Sequence, residues 1–435
     1  MCINKECRSG SPFLRCHTVG NSGCLWYNEY MKNALSKKKK ILISIITPVS
    51  ALLLAFLILC VTTMCMYSPT FLGRVLAHWD SKVTNHKIFP ERIVEKSAKP
   101  YSYEKAVISD LGNTIVEYSD KQKPLVDFVD DTDTTSFIIV KDDKIIYEQY
   151  ANCYNENSIN TSFSMAKSVV SLLIGKAIEN GDIKSVTEPI ANYIPEFENK
   201  AIGQTTVEDL LLMRSKIVYD EDKFLWFGDD TLTYWYDDLR ELALSHTQLS
   251  NGYDGRFHYN NYHPLLLGLI LERSTGQSVS EFFEREIWQK IGAEYDASWS
   301  LDGKRSGFEK MESGINYRAV DFLKIGSMVL HNGYFNGTQI VNGEWLKNST
   351  LCEFPINSAE YENTFLSGKN IGYKYMWYST PSAQSGYDMI AWGKSDQILY
   401  ISPANNTVIL RTGKTDGGVP NWVEAIKGIV TSIRQ

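Results

Sequence analysis

From Ile41 to Gly73 the chain carries not one charged side chain, and Ile41–Met66 within that stretch is almost wholly apolar. A helix needs roughly 20 such residues to cross the hydrocarbon core of a bilayer. Inside lipid every main-chain N–H and C=O must be paired within the segment, so this stretch has one structure open to it, a helix, and Pro48 is tolerated there. Lys37-Lys-Lys-Lys40 stands directly before it. By the positive-inside rule the N-terminus then stays in the cytoplasm and the rest is exported, to a periplasmic or extracellular side. The expected organisation is a cytoplasmic tail over 1–40, a transmembrane signal anchor over 41–66, a connector over 67–120 and a compact domain over 121–435. A cleaved signal peptide is the alternative; its apolar core would be unusually long, and no small-x-small site follows. Cys60 follows the bulky Leu59, which makes a poor lipoprotein site. Met31 opens a compact basic leader, Met-Lys-Asn-Ala-Leu-Ser-Lys-Lys-Lys-Lys, so 1–30 is either a short cytosolic tail or an upstream extension of the true start.

Charge and cysteine usage narrow the rest. The chain has 44 basic and 51 acidic side chains, a formal charge of -7, which is not the footprint of a nucleic-acid binder. An aromatic share of 12% suits a packed core rather than a disordered chain. Cys2, Cys7, Cys16 and Cys24 precede the apolar segment, Cys60 and Cys65 lie in it, and Cys153 and Cys352 follow it. Those last two are either one disulfide or two unrelated thiols. The N-terminal cysteine spacing, with His17, fits no zinc pattern, and no His-Glu-x-x-His occurs, so neither a metal nor another cofactor is expected.

Along the exported part, Ser136–Tyr150 reads as a hairpin around Asp142-Asp143. Helices are expected from Ser164 to a stop at Asn180-Gly181, from Thr206 to Met213, over Tyr262–Thr275, over Ser278–Ile291 and over Ala319–Leu330. Strands return at Met389–Trp392, Gln397–Ser402 and Thr407–Thr412, and Asn421–Ile433 closes as a helix. Strands at both chain ends with helices between them imply an α+β domain: one antiparallel sheet built from both ends, flanked by helices, with a helical region inserted.

Chemistry concentrates at Ser162-Phe-Ser-Met-Ala-Lys-Ser-Val-Val-Ser-Leu-Leu-Ile-Gly175. Ser164 and Lys167, three apart, share one helix face. The helix is apolar nearly all round and should be central and buried. A lysine at its buried start is desolvated, which favours the neutral amine. Such an amine can take the serine proton and make a nucleophile without any histidine. Ser36-Lys-Lys-Lys39 has the same spacing but is a plain basic run. Tyr259-Asn260-Asn261 at the start of a later apolar helix offers a phenol for proton relay and an amide for hydrogen bonds to the lysine and a substrate carbonyl. Tyr334-Phe-Asn336 and Tyr361-Glu-Asn363 match the triplet but sit in polar, turn-like segments. His246, His258, His263 and His331 have no Gly-x-Ser-x-Gly elbow to serve.

Ser164-x-x-Lys167 followed by Gly255-x-Phe257-x-Tyr259-x-Asn261 resembles the serine β-lactamase-related family. That family includes class C β-lactamases, D-alanyl-D-alanine peptidases, related esterases and 6-aminohexanoate-dimer hydrolases. Ile183–Phe197, Thr205–Ser215 and Glu312–Gly326 are similar to further segments of it, and the likeness spans about 130–435. The resemblance implies a β-lactamase/transpeptidase-like fold and a serine hydrolase that cleaves an amide or ester through an acyl-enzyme on Ser164. Lys167 and Tyr259 would move the proton, Asn261 would orient Lys167 and the substrate, and backbone N–H groups of Ser164 and of Lys394 or Ser395 would hold the oxyanion. Trp226, Tyr234, Trp235 and Tyr236 fall where the family keeps a variable loop over the pocket, and with Trp392 they are candidates to line it. Two departures stand out. Asp254 replaces a common Pro. On the strand facing the nucleophile, Ala391-Trp-Gly-Lys-Ser-Asp-Gln-Ile398 replaces Lys-Thr-Gly and is closer to the Gly-x-x-Gly-Gln of the esterase and aminohexanoate-hydrolase branch, with Asp396 for its second Gly. Arg411-Thr-Gly413 mimics Lys-Thr-Gly one strand later. An amidase or esterase is therefore expected ahead of a D-Ala-D-Ala peptidase or a β-lactamase. A non-catalytic cell-wall or partner-binding module on the same fold is the rival of another class.

Overall fold

The computed structural model describes residues 21–433 except 222, 251, 253–254, 351–358, 363 and 384–385, and describes no side chains for 21–28 and 350. Cys352 and Asp254 therefore lie outside the described residues, and with Cys352 the question of a Cys153–Cys352 bond. The chain divides into two units, 1–72 and 73–435. In the first, helix α1 (Asn21–Met66) runs through Pro48. Its apolar stretch is long enough to cross a membrane, and none of that stretch is buried against protein. A helix is the form that the sequence of Ile41–Met66 led one to expect.

The second unit is built on an eight-stranded sheet. In chain order its strands are β1 (Glu104–Lys105), β2 (Thr134–Lys141), β3 (Lys144–Tyr150), β4 (Gly372–Lys374), β5 (Trp377–Pro381), β6 (Tyr387–Gly393), β7 (Gln397–Ser402) and β8 (Thr407–Gly413). In space they run β4-β5-β6-β7-β8-β2-β3-β1. All pairings are antiparallel except β1 with β3. The sheet thus joins both chain ends, as the α+β reading requires. The β2–β3 hairpin turns on Asp142 and Asp143, both left-handed at φ 49 and 59, the backbone of a two-residue turn that Asp tolerates. Strands β4 and β5 were not foreseen: Gly372–Pro381 mixes Gly, Tyr, Lys and Trp without clean alternation.

Helix α2 (Met165–Asn180) is buried without interruption from Met165 to Ala177, as its all-round apolar sequence dictates. Gly175 lets Trp345 lie against it; a Cβ there would fall 2.4 Å from that indole. Gly181, left-handed at φ 84, caps its C-terminus through Ala177 O and Ile178 O. Helix α3 (Tyr262–Thr275) packs on α2. Helix α4 (Ala319–Leu330) lies on β7 and β8, close enough that a Cβ on Gly326 would meet Val408 at 2.5 Å. Thr206 and Asp209 form the capping box of the short helix Val207–Leu211. Ser278 and Glu281 form another, on a helix that ends in a π-turn at Trp288.

A second, four-stranded antiparallel sheet has the order Glu91–Val94, Ala297–Ser300, Ile315–Tyr317, Asn160–Thr161. Residues 91–94 and 104–105, inside the stretch read as connector, thus pair with strands of the domain. The edge strand Asn160–Thr161 hands the chain straight to Ser162-Phe163-Ser164, and this positions the candidate site.

Candidate active site

Ser164 sits half-buried at the start of α2, at the end of a loop that the small sheet clamps. Ser162 N donates to Ile315 O at 2.8 Å, and its hydroxyl accepts from Ile315 N at 3.2 Å. Between the two serines Phe163 is left-handed at φ 42, a costly conformation for a bulky residue. That kink turns the chain from strand into helix over a single residue.

One turn on, Lys167 is 2% exposed. Its Nζ lies 2.8 Å from Ser164 Oγ and 3.1 Å from the carbonyl oxygen of Glu312. Glu312 precedes the middle strand of the small sheet, so the sheet that holds Ser162 also presents this carbonyl. The Glu312 carboxylate points elsewhere, to the fully buried Lys310 at 2.8 Å and to Ser313 Oγ at 2.8 Å. Burial lowers the proton affinity of Lys310, and Glu312 opposes that shift. The Tyr259 ring stands 4.8 Å from Lys167 Nζ and packs edge-on against Phe365. Behind it, burial first, and then the Tyr259 and Tyr373 phenols, push the Tyr378 hydroxyl well above the ordinary phenol range. Ser164, Lys167 and Tyr259 are thus brought together from the starts of two packed helices.

The facing wall is the β6–β7 hairpin. Gly393 pairs with Gln397, and the turn between them puts Ser395 and Asp396 at φ 60 and 52. Gly393 runs so close to the nucleophile loop that a Cβ would meet Ser162 O at 2.5 Å and Ser164 N at 2.9 Å. Ser164, Tyr259, Phe365, Tyr378, Trp392 and the turn Gly393–Asp396 surround a cavity of about 630 Å³, closed further by Glu221, Asp230, Lys369, Thr415 and Asp416. That volume suits a small molecule. Among the described residues, carboxylates outnumber cations around it. The side chain of Lys394 turns to Asp80 and Ser81, at 2.5 and 2.7 Å. Lys369 lies over Trp392 at 5.3 Å. Asp396 accepts the Trp392 indole N–H at 2.7 Å. Desolvation raises its carboxyl above the usual range, while the indole bond and Arg411 pull the other way.

Several expectations need correction. Asn261 is not a partner of Lys167 among the described residues: its Nδ2 donates to Tyr219 OH at 2.7 Å, Thr233 Oγ1 at 3.2 Å and Asp230 Oδ1 at 3.3 Å. Its place at the N-cap of α3 directs the amide toward the helix Asp229–Trp235, and the Glu312 carbonyl is the group that meets Lys167 instead. Of the five aromatic candidates, Trp392 alone lines the cavity. Trp226 packs against Trp79 beside a separate cleft. Tyr234 covers Lys310, which donates to its carbonyl at 2.6 Å, and Trp235 stacks on Phe89. Tyr236 is 9% exposed. These four fill space between helix Asp229–Trp235 and its neighbours. Glu221, Asp230, Phe365, Lys369, Tyr378 and Asp416 escaped the sequence reading because no local pattern marks them.

Known proteins share the family and the fold of this domain. The profile of the Beta-lactamase family matches residues 125–426. The 6-aminohexanoate-dimer hydrolase of Paenarthrobacter ureafaciens is 23% identical over 317 residues, covering 70% of this chain and 79% of that protein. A Bacillus anthracis structure provisionally assigned as a 6-aminohexanoate-dimer hydrolase superposes with a TM-score of 0.69 at 22% identity, over 81% of this chain and 92% of that one. A class C β-lactamase from Rhodobacter sphaeroides superposes with a TM-score of 0.53 at 14% identity, over 71% and 98%. Both superpositions speak to the fold.

Proposed function

The chain belongs to the Beta-lactamase family of serine hydrolases, and from that premise we propose that it cleaves an amide or ester of a small molecule or peptide through an acyl-enzyme on Ser164. The observation that carries the reading is the 2.8 Å contact between Lys167 Nζ and Ser164 Oγ at the edge of the cavity. In the reacting form this contact runs from the Oγ–H to the amine, so Lys167 takes the proton as Oγ attacks the carbonyl carbon. The oxyanion that forms is held by the N–H groups of Ser164 and of Lys394 or Ser395; one such donor lowers a barrier by roughly 3 kcal/mol. Lys167, with the Tyr259 hydroxyl, returns the proton to the leaving nitrogen or oxygen, the bond to the acyl carbon breaks, and the acyl group stays on Ser164. Water entering the vacated place gives a proton to the same pair, attacks the acyl carbon and releases the acid, and Ser164 Oγ regains its hydrogen.

The surplus of carboxylates around the cavity favours substrates with a neutral or protonated-amine portion and opposes anions. An amide of an amino acid fits this chemistry, as the name of the Paenarthrobacter relative suggests. A penicillin, with its carboxylate, fits poorly. The proposed setting is a single-pass protein anchored by α1, N-terminus cytoplasmic, with the hydrolase domain on the exported side. The first test is a fluorophosphonate probe on the full chain in detergent, beside Ser164→Ala and Lys167→Ala, with the label located by mass spectrometry. Label on Ser164 that vanishes in both variants supports the reading. A folded wild type that takes no label refutes it and moves the binding-module reading to first place.

A further inference from the structure

The triplet Arg411-Thr-Gly413, which has no place in the proposed chemistry, lies directly beneath it. Arg411 sits on β8, opposite Ile398 of β7 and Phe137 of β2, and is fully buried. Among the described residues its five hydrogen bonds go to four main-chain carbonyls and one hydroxyl, with no carboxylate among them. Nη1 donates to Ser395 O and, at 2.9 Å, to Asp396 O. Nη2 donates to Thr132 O at 3.0 Å and Thr415 O at 2.9 Å, and Nε to Thr134 Oγ1 at 3.2 Å. The guanidinium face lies 4.2 Å over the ring of Trp422.

Asp396, Asp133 and Asp416 lie near enough to favour its charge, but a buried cation with no carboxylate in direct contact is still expensive, and an apolar side chain would fill the same space at lower cost. What an apolar side chain lacks is the planar fork. One arm of it grips two successive carbonyls, those of Ser395 and Asp396, the residues that the β6–β7 turn holds left-handed. The other arm grips Thr415, on another part of the cavity wall. Gly413 belongs to the same device. A Cβ there would lie 2.2 to 2.3 Å from the guanidinium, so the third position of the triplet must stay bare for the first to reach the turn.

We propose that Arg411 is a positioning residue for acyl transfer: it locks the Lys394–Asp396 turn so that the main-chain N–H of Lys394 or Ser395 meets the oxyanion, and it places a positive charge beneath that turn. The inference rests on the reading of Ser164 as nucleophile. It is tested on the full chain with Arg411→Lys, Arg411→Met and Gly413→Ala. Fluorophosphonate label on Ser164 counts active sites, ester hydrolysis gives kcat per labelled site and KM, and urea melting reports folding. The expected result is a kcat per labelled site lowered about 10- to 100-fold in Arg411→Met, below the loss for removing an oxyanion donor outright, with KM little changed and partial recovery in Arg411→Lys. A merely structural role would lower the melting midpoint and the number of labelled sites and leave kcat per site unchanged; that outcome overturns the proposal. If neither Arg411 variant folds, Gly413→Ala decides, because it displaces the guanidinium without removing it, and wild-type kcat per site in that variant overturns the proposal equally. A wild type that takes no label on Ser164 refutes the hydrolase reading itself, and this inference falls with it.

Discussion

The closeness of Gly393 to the nucleophile loop can be turned into a number. A Cβ added there would lie 2.5 Å from Ser162 O, 2.9 Å from Ser164 N and 3.1 Å from Phe163 Cβ. Carbon and carbonyl oxygen in favourable contact stay about 3.3 Å apart or more, so Gly393→Ala is short of room by about 0.8 Å. Either the loop or the strand must retreat. The loop is pinned to the small sheet through both Ser162 N and Ser162 Oγ, and the turn after β6 is held by Arg411. Whichever side gives, the spacing between Ser164 N and the main-chain N–H groups of Lys394 and Ser395 changes. Overpacking of this kind costs about 1–3 kcal/mol of stability, while a misplacement near 1 Å in a catalytic geometry costs about 100-fold in rate. Gly393→Ala should therefore lower fluorophosphonate labelling and ester kcat/KM by about 10- to 100-fold while remaining folded by circular dichroism and urea melting. A folded variant that labels Ser164 at the wild-type rate would refute the reasoning, since the separation of strand and loop would then not set the reacting geometry.

Three further outcomes are expected. Tyr259→Phe keeps the ring beside Lys167 and removes only the hydroxyl, so hydrolysis should fall by about 100-fold or more with an unchanged melt; a loss under about threefold would remove Tyr259 from the proton path. Lys394→Ala should change labelling and stability little, because its side chain makes a half-exposed pair with Asp80, worth about 0–1 kcal/mol. A large loss of labelling would show that its ammonium, not its main chain, serves the site. His263 is buried against Ser215 Oγ and Met213 S, and burial with the nearby His258 pushes it down to about 3. The folded protein keeps it neutral while the unfolded chain binds a proton below about 6.5, so its stabilisation is present at neutral pH and is lost as pH falls. Asp302, whose burial pushes it up to about 6, has the opposite slope between about 4 and 6, so the contrast with a variant isolates the histidine. The urea stability of wild type relative to His263→Leu should fall by about 1.4 kcal/mol per pH unit below 6.5; a difference constant from pH 7 to 4.5 would contradict it.

What could be read in the sequence was what local physics decides. Helix α2 is declared by an unbroken apolar surface and ended by Gly181, helix α3 by its core spacing and Gly276, and both have the observed bounds within a residue. Ser164 and Lys167 meet because a three-residue separation on a helix leaves them no choice. Long-range packing was not legible. Four aromatic residues expected over the cavity, Trp226, Tyr234, Trp235 and Tyr236, face other partners, because nothing in Asp229–Trp235 tells which side of that short helix will meet the buried Lys310. Strands β4 and β5 lack alternation because they cover interior on both sides, and Tyr373, Trp377 and Tyr378 are all buried.

The deeper gap concerns the main chain. A motif reports side chains, but the candidate site depends as much on backbone: the Glu312 carbonyl on Lys167, the left-handed Phe163 before the nucleophile, the left-handed Ser395 and Asp396 across from it, and the bare Gly393 between them. The last three are conformations that a non-glycine residue resists or a contact that a Cβ would forbid. Both loops are held from outside themselves: the one before Phe163 by Ile315 through Ser162, and Ser395 and Asp396 by Arg411 on the following strand. Ser395-Asp396 stand where the pattern this segment resembles has a glycine, and the turn they form rests on a buried donor fork. This makes Asp396 and Arg411 a pair to be judged together. Asp396→Gly restores the residue that adopts the left-handed region freely, so it should lessen the rate penalty of Arg411→Lys. In a double-mutant cycle on kcat per labelled site the two changes should then fall short of additivity. Strict additivity would mean that Arg411 acts on the turn through something other than its backbone conformation.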